Sequence, residues 1–162
     1  MILYHGSNME VRRPHVIEQA RGLDFGAGFY TTSSREQSVK FSRNIVDRRG
    51  AGVPTVSVYE FDEKTAAKEL RALRFKKANA QWLDFVKDNR LKIYSGVQYD
   101  LIIGPVANDD VMPSIQAYLS GQFTLEAALI ALKTKKLVDQ YCLKSEHAVS
   151  LLRFQESFRV EA

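Results

Sequence analysis

Apolar and polar residues follow two different periods along this chain, and each period predicts a different element. Alternation every second residue, or a short apolar run between turn residues, indicates a strand, whereas spacings of three and four indicate a helix. Strands are expected at residues 2–5, 29–32, 54–61, 99–106, 137–144 and 154–160, and helices at 33–48, 63–75, 79–90, 110–119, 124–132 and 145–152. Because strands and helices mix without strict alternation, the pattern favours an α+β fold over a doubly wound sheet.

Turn and capping residues set the expected limits of the first elements. Ser33 followed by Glu36 has the spacing of a capping box and predicts the start of the first helix. The segment 11–28 contains a proline and three glycines, which indicates an extended loop that tightens before the second strand. The chain has no internal repeat and no low-complexity linker, so residues 1–162 are predicted to form a single domain.

Composition narrows the class of protein. The chain has 162 residues, 45% hydrophobic and 26% charged, as in an ordinary globular domain. No run approaches the roughly 18 apolar residues of a membrane span, and the first residues do not resemble a signal peptide. We therefore expect a soluble, cytoplasmic protein without a membrane partner. With Cys142 as the single cysteine and only three histidines, neither a disulfide nor a metal site is expected.

Basic residues are unevenly distributed although the net charge is only +4. One short segment contains six of them with a single acidic residue, Glu69, among them: Lys64, Lys68, Arg71, Arg74, Lys76 and Lys77. Such a charge run is either a solvated helical face or a surface that contacts phosphates. The sequence leaves both interpretations open.

Three segments carry candidate chemistry when they are considered together: residues 3–7 (Leu-Tyr-His-Gly-Ser), the glycine-rich residues 22–32, and residues 139–143 (Asp-Gln-Tyr-Cys-Leu). Their order and content resemble the diphtheria-toxin-like and poly(ADP-ribose)-polymerase-like branch of the ADP-ribosyltransferases. They also resemble a small bacterial family of uncharacterised transferase-like proteins, which shares the loop at Asp24 and the segment 99–110. The resemblance implies an ADP-ribosyltransferase-type split β-sheet with flanking helices and a central cleft for NAD.

The resemblance also implies roles for single residues. His5 would hydrogen-bond the adenine-side ribose of NAD, and the backbone of Gly6 would hold the nicotinamide carboxamide, since a residue without a β carbon lets a ligand approach closely. Tyr30 and Phe41 would stack on the nicotinamide ring, and Ser38 would hydrogen-bond the carboxamide. Phe41 keeps an aromatic face but lacks the hydroxyl of the family tyrosine. Three further positions of the motif segments are assigned to NAD binding: Ser7, Phe25 and Gly28.

Gln140 occupies the position at which the family has its catalytic glutamate. Cleavage of the nicotinamide–ribose bond builds positive charge on the ribose, and an acidic residue would stabilise that charge. A neutral glutamine can orient the ribose 2′-hydroxyl, but it accepts weaker hydrogen bonds than a carboxylate does. Gln140 is therefore predicted to orient the substrate. Acidic residues that could substitute are Asp139, expected on the opposite strand face, and Asp109, Asp110 and Glu146.

Each of these residues also has a purely structural interpretation. His5 fits a core histidine, Tyr30 and Phe41 fit core aromatic residues, and Gly26 with Gly28 fits a tight turn. Their joint order favours an enzyme with NAD as substrate.

The resemblance implies a mono-ADP-ribosyltransferase acting on a protein or nucleic acid, of the kind found as a bacterial toxin or defence protein with an antitoxin partner. The alternatives are a catalytically degenerate NAD- or ADP-ribose-binding module and a protein–protein module. A tRNA 2′-phosphotransferase is disfavoured because no arginine-rich site is evident.

Overall fold

The computed structural model describes residues 1–18 and 21–161. Within these residues the chain forms a mixed α+β structure with two open sheets and six helices. The strands are β1 (Ile2–Ser7), β2 (Phe29–Thr31), β3 (Thr55–Phe61), β4 (Ala72–Arg74), β5 (Leu101–Pro105), β6 (Asp139–Leu143) and β7 (Leu152–Arg159). The helices are α1 (Arg35–Arg49), α2 (Glu63–Glu69), α3 (Ala80–Arg90), α4 (Met112–Leu119), α5 (Leu125–Lys133) and α6 (Glu146–Ser150). The α+β class predicted from the sequence is confirmed.

The two sheets meet along β1 and β2. The first sheet has the order β1-β3-β7 and the second has the order β2-β6-β5-β4. All pairs are antiparallel except β4 with β5. An isolated bridge between Tyr4 and Thr32 joins β1 to β2. The first motif segment, on β1, and the end of the glycine-rich segment, on β2, therefore lie side by side. We call this contact between the two sheets the seam.

Two apolar clusters fill the interior. The first cluster lies around β1, β2 and β3, where the ring of Phe29 meets that of Tyr59 edge-on at 5.9 Å. The second cluster lies between α3 and the sheet that contains β5, and it includes the fully buried Trp82. The indole Nε1 of Trp82 donates to the carbonyl of Pro105 at 3.0 Å, so its one polar atom is satisfied.

The helix expected at 63–75 is only half right. Asp62 caps α2, which ends at Glu69, and the following residues form β4, paired in parallel with β5. The carboxylate of Asp100 accepts a hydrogen bond from the backbone N–H of Arg71 at 2.9 Å and draws the chain out of the helix. Leu73 then packs on the second cluster. Long-range pairing overrides helix propensity here.

Ser33 does not cap α1, contrary to the expected capping box. Its backbone N–H and hydroxyl both donate to the carboxylate of Asp139, at 3.0 and 2.6 Å. Ser34 is the N-cap, and its hydroxyl accepts from the backbone N–H of Gln37. The helix expected from residue 110 starts at Met112. Among the described residues, none of the helices has the length and apolar character needed to cross a membrane.

Candidate functional site

The three motif segments converge on the seam between the sheets. His5 lies on β1, Tyr30 on β2 and Gln140 on β6. β1 is bridged to β2, and β2 pairs with β6 so that Tyr30 stands opposite Cys142. Residues that are more than 100 positions apart in sequence therefore occupy three neighbouring strands.

His5 is held directly by the strand that carries Tyr30. Its Nδ1 lies 2.7 Å from the backbone carbonyl oxygen of Tyr30, and its ring stacks on Phe29 with centroids 4.3 Å apart. Because a carbonyl can only accept, Nδ1 carries the proton, and Nε2 of the neutral ring is the acceptor. Burial lowers the pKa of His5 to about 4, opposed by the hydrogen bond to Tyr30 and assisted by the charge of Arg49. The ring is neutral at physiological pH.

The hydroxyl of Tyr30 fastens the glycine-rich loop. It accepts a hydrogen bond from the backbone N–H of Phe25 at 3.0 Å and donates to the carbonyl of Gly26 at 2.6 Å. Burial raises the pKa of Tyr30 well above its usual value, and the neighbouring Cys142 and Asp24 raise it further. The phenol therefore remains protonated and able to donate.

Lys144 also holds the glycine-rich loop. Its ammonium donates to the carbonyls of Phe25 and Ala27 at 2.6 and 2.7 Å. Burial lowers the pKa of Lys144. Gly26 adopts φ +78°, a left-handed conformation that favours glycine. Two side chains and one turn thus hold the loop in a single conformation beside β2.

Gly6 and Ser38 mark the contact of α1 with β1. A β carbon on Gly6 would lie 2.1 Å from the carbonyl oxygen of Ser38, so the space beside this glycine is filled by helix backbone. Ser38 is buried, and its hydroxyl donates to the carbonyl of Arg35. The close approach at Gly6 serves helix packing, whereas the sequence suggested that it serves a ligand.

Gly28 permits a second close contact, between β2 and β6. A β carbon there would lie 2.4 Å from the sulfur of Cys142. The thiol is completely buried, and burial raises the pKa of Cys142 to about 12. Cys142 therefore has a packing role between β2 and β6.

The remaining residues assigned to NAD binding differ in exposure. Phe25 has no exposed surface and packs against Phe75 and Phe85. Ser7 is buried, and its hydroxyl donates to the side chain of Asn8 at 3.4 Å. Phe41 lies on α1 and is 36% exposed.

Gln140 is buried and lies on an interior strand. Its Nε2 is 3.1 Å from Oδ2 of Asp24 and 3.3 Å from the carbonyl oxygen of Pro105. Asp24 is also buried, and its other carboxylate oxygen pairs with Arg90 at 2.5 Å from Nη2 and 2.7 Å from Nε. The backbone N–H of Ala107 donates to Oδ2. Asp24 is thus an acidic residue in direct contact with Gln140.

Sequence reasoning did not identify Asp24 as a site residue. Its position within the glycine-rich motif segment was the available signal, but its partners are 66, 83 and 116 residues away. Two of the acidic residues expected to substitute for a glutamate have other partners. Asp139 binds Ser33, and Glu146 accepts from the backbone N–H of Val16.

The loop after β5 reaches α1. Asp109 accepts from the side-chain amide of Asn44 at 3.3 Å and lies 3.8 Å from the ammonium of Lys40. Asp110 donates its backbone N–H to the side chain of Asn108. Asp109 thus contacts the same helix that carries Phe41, and both Asp109 and Asp110 are exposed.

A cavity of about 300 Å³ lies against the loop. It is lined by residues that include Gly26, Phe85, Tyr94 and Lys144. His5, Tyr30 and Gln140 do not line it. Within the described part of the chain, no group of three or more histidine, cysteine, aspartate or glutamate side chains is arranged to hold a metal ion.

Comparison with known families assigns the chain to one of them. Residues 1–154 match the family described as "Protein of unknown function (DUF3990)", so the chain belongs to this family. The match extends from β1 into β7 and includes all three motif segments. No curated protein and no solved structure matches the chain.

Proposed function

We propose that this protein has an ADP-ribosyltransferase-type split-sheet fold, binds NAD at the seam between its sheets and transfers one ADP-ribose to a macromolecule. One observation carries the proposal: Nδ1 of His5 donates to the backbone carbonyl of Tyr30, which couples the two motif residues. A neutral imidazole fixed in this way offers Nε2 to a ribose hydroxyl. The same contact holds β2, and with it the aromatic ring of Tyr30, beside β1.

The reaction places defined demands on the site. The bond between the ribose C1′ and the nicotinamide nitrogen breaks, and the bonding electrons leave with nicotinamide. A nucleophilic atom of the acceptor then bonds to C1′ and loses its proton to solvent or to a nearby base. Oriented hydrogen bonds to the ribose favour this step because they act on the charge that develops in the transition state. In this proposal the side-chain oxygen of Gln140 accepts a hydrogen bond from the ribose 2′-hydroxyl.

A salt titration would distinguish a nucleic-acid acceptor from a protein acceptor. The six basic residues between Lys64 and Lys77 are all exposed, and they lie on α2, on β4 and in the flanking segments. A nucleic-acid acceptor held by these residues would bind less tightly as salt increases, since counterions compete for the phosphates. A protein acceptor would give a much shallower salt dependence.

The test of activity is incubation with labelled NAD and a cell lysate, followed by separate protease and nuclease digestion. The proposal expects label in a macromolecule, removed by one of the two digestions. His5→Ala and Tyr30→Ala should reduce the label at least about 100-fold, as for the loss of one oriented group. His147→Ala changes an exposed histidine and is the matched control. Label at equal levels with all variants would refute the assignment.

A biological role as a toxin with a protein antitoxin is part of the proposal. Expression in bacteria should arrest growth, and the His5→Ala or Tyr30→Ala variants should relieve the arrest. Equal toxicity of both variants at matched protein levels would contradict this role.

A catalytically degenerate NAD- or ADP-ribose-binding module is the second candidate. It is favoured by the neutral side chain of Gln140, whose Nε2 is engaged with Asp24 and Pro105. Saturable NAD binding by calorimetry without labelled product or released nicotinamide would support this module over the transferase.

A further inference from the structure

The buried carboxylate of Asp24 connects the glycine-rich loop to three other parts of the fold. Oδ1 pairs with the guanidinium of Arg90 at the end of α3. Oδ2 accepts from the backbone N–H of Ala107, just after β5, and from Nε2 of Gln140 on β6. Only 7% of Asp24 is exposed, so its contacts are with the protein. The pair of Asp24 with Arg90 satisfies the rule that a buried charge needs a partner.

These contacts determine which way the amide of Gln140 points. The carboxylate of Asp24 and the carbonyl of Pro105 are both acceptors, so only the NH₂ end of the amide can face them. The two Nε2 hydrogens are used by these two partners. Oε1 is the end of the side chain that remains to accept a hydrogen bond.

The hydrogen bond from Gln140 to Asp24 also changes the amide electronically. A donor that points at a carboxylate is polarised, and linked hydrogen bonds strengthen one another in a buried environment. The polarised amide carries more negative charge on Oε1 than an amide in water. The carboxylate of Asp24 thereby acts on the oxygen of Gln140, although Asp24 itself does not contact the substrate.

We propose that Asp24 is a positioning residue that orients and polarises Gln140 for the ribose 2′-hydroxyl of NAD. The inference rests on the transfer proposed above and assigns to the pair of Asp24 and Gln140 the task that the family gives to one glutamate. Asp24 pairs with Arg90 and touches neither the substrate nor the acceptor. Its contribution appears in the chemical step and not in the affinity for NAD.

The experiment compares Asp24→Asn, Gln140→Glu and the double variant in the full chain. Asp24→Asn should lower kcat for nicotinamide release about 10- to 100-fold, the effect of losing a charged hydrogen bond, with KM for NAD within about threefold of the wild type. Gln140→Glu should also be impaired, because it places two carboxylates in contact. Asp24→Asn/Gln140→Glu restores the net charge and reverses the donor and acceptor, so kcat should recover at least about tenfold over either single variant.

Asp47→Asn is the matched control. It makes the same change at an exposed carboxylate of α1 and should leave kcat within about twofold of the wild type. Thermal unfolding of each variant separates loss of fold from loss of turnover. Because a restored fold would also restore turnover, kcat is normalised to the folded fraction of each variant, and the recovery in the double variant should persist after this normalisation.

Three outcomes would overturn the inference. The first is an unchanged kcat for Asp24→Asn, the second is a double variant no more active than Gln140→Glu, and the third is a Gln140→Glu variant more active than the wild type. A wild-type protein that releases no nicotinamide overturns the proposed function itself, and the role of Asp24 with it. An active wild type with an unaffected Asp24→Asn variant overturns the positioning role alone.

Discussion

The carbonyl oxygen of Ser38 on α1 occupies the space in which a β carbon of Gly6 would lie, with a separation of only 2.1 Å. The backbone N–H of Ser42 would be 2.9 Å from the same β carbon. Glycine at this position thus allows the helix backbone to rest directly on β1. The residue after His5 is fixed by packing, independently of any ligand, and the position of α1 relative to the seam depends on it.

Gly6→Ala should therefore destabilise the fold. The clash involves backbone atoms, so relief requires movement of α1, at a cost of about 1–3 kcal/mol or more. Urea unfolding should show a lower midpoint with little change in slope. Gly50→Ala is the control, since its β carbon meets open space and costs only about 1 kcal/mol from the left-handed backbone at φ +65°. Equal stability of Gly6→Ala and the wild type would contradict the packing argument.

The pKa of about 4 for His5 predicts a loss of stability on acidification. In the unfolded chain histidine binds a proton near pH 6.5, whereas the folded chain resists it until about pH 4. The stabilisation from neutral His5 is complete above pH 6.5 and is lost progressively as the pH falls toward 4, for a total of about 3 kcal/mol.

His5→Asn removes this contribution to the pH dependence. Urea unfolding at pH 7.5 and 4.5 should show a smaller loss of stability for the variant than for the wild type, by about 2–3 kcal/mol. His15→Asn makes the same change at an exposed histidine and is the control for the substitution itself. Carboxylates also titrate in this range, so the comparison between variants isolates His5. Identical pH dependence for His5→Asn and the wild type would show that His5 is not held neutral.

The two hydrogen bonds of the Tyr30 hydroxyl predict a local effect for Tyr30→Phe. The change keeps the ring but leaves the N–H of Phe25 and the carbonyl of Gly26 without this partner, at a cost of about 1–3 kcal/mol. Hydrogen exchange of the Phe25 amide should accelerate. Tyr94→Phe removes a hydroxyl that donates to Val97 and should leave this amide protected. Unchanged exchange at Phe25 in Tyr30→Phe would mean that Lys144 alone holds the loop.

The contacts of Asp139 with Ser33 predict a role at the start of α1. Asp139→Asn weakens two hydrogen bonds made by a carboxylate and should cost about 1–2 kcal/mol. Thermal unfolding should detect a lower Tm. Asp47→Asn, on the exposed side of the same helix, should have little effect. A wild-type Tm for Asp139→Asn would indicate that Ser34 caps the helix adequately without this support.

Elements with strong local signals were predicted well from the sequence. β2, β3, β5 and β6 lie within the expected runs, because apolar periodicity and flanking glycines or prolines are local properties. The second half of the expected helix 63–75 was wrong because β4 exists only through its pairing with β5. The strand expected at residues 54–61 was correct, but its position in the sheet could not be predicted from a local pattern. β3 is the central strand of its sheet and is buried on both faces.

The candidate site also combines features that local sequence predicts with features that only the tertiary fold determines. Placement of His5, Tyr30 and Gln140 on strands follows from local sequence, whereas the partners of each side chain depend on the tertiary fold. The contact between Asp24 and Gln140 joins residues 116 positions apart. No spacing rule relates two such residues. The prediction that Ser33 caps α1 was wrong for the same reason, because its hydroxyl donates to Asp139, a distant residue on β6.

The burial of Cys142 allows the separation of β2 from β6 to be followed by chemical modification. Only the thiolate reacts readily with alkylating reagents, and a thiol with a pKa of about 12 inside the fold is protected from them. Because this is the one cysteine in the chain, its rate of modification reports how often these two strands separate. Conversely, a cysteine introduced at an exposed position such as Ile130 would take up a dye selectively while the fold is intact.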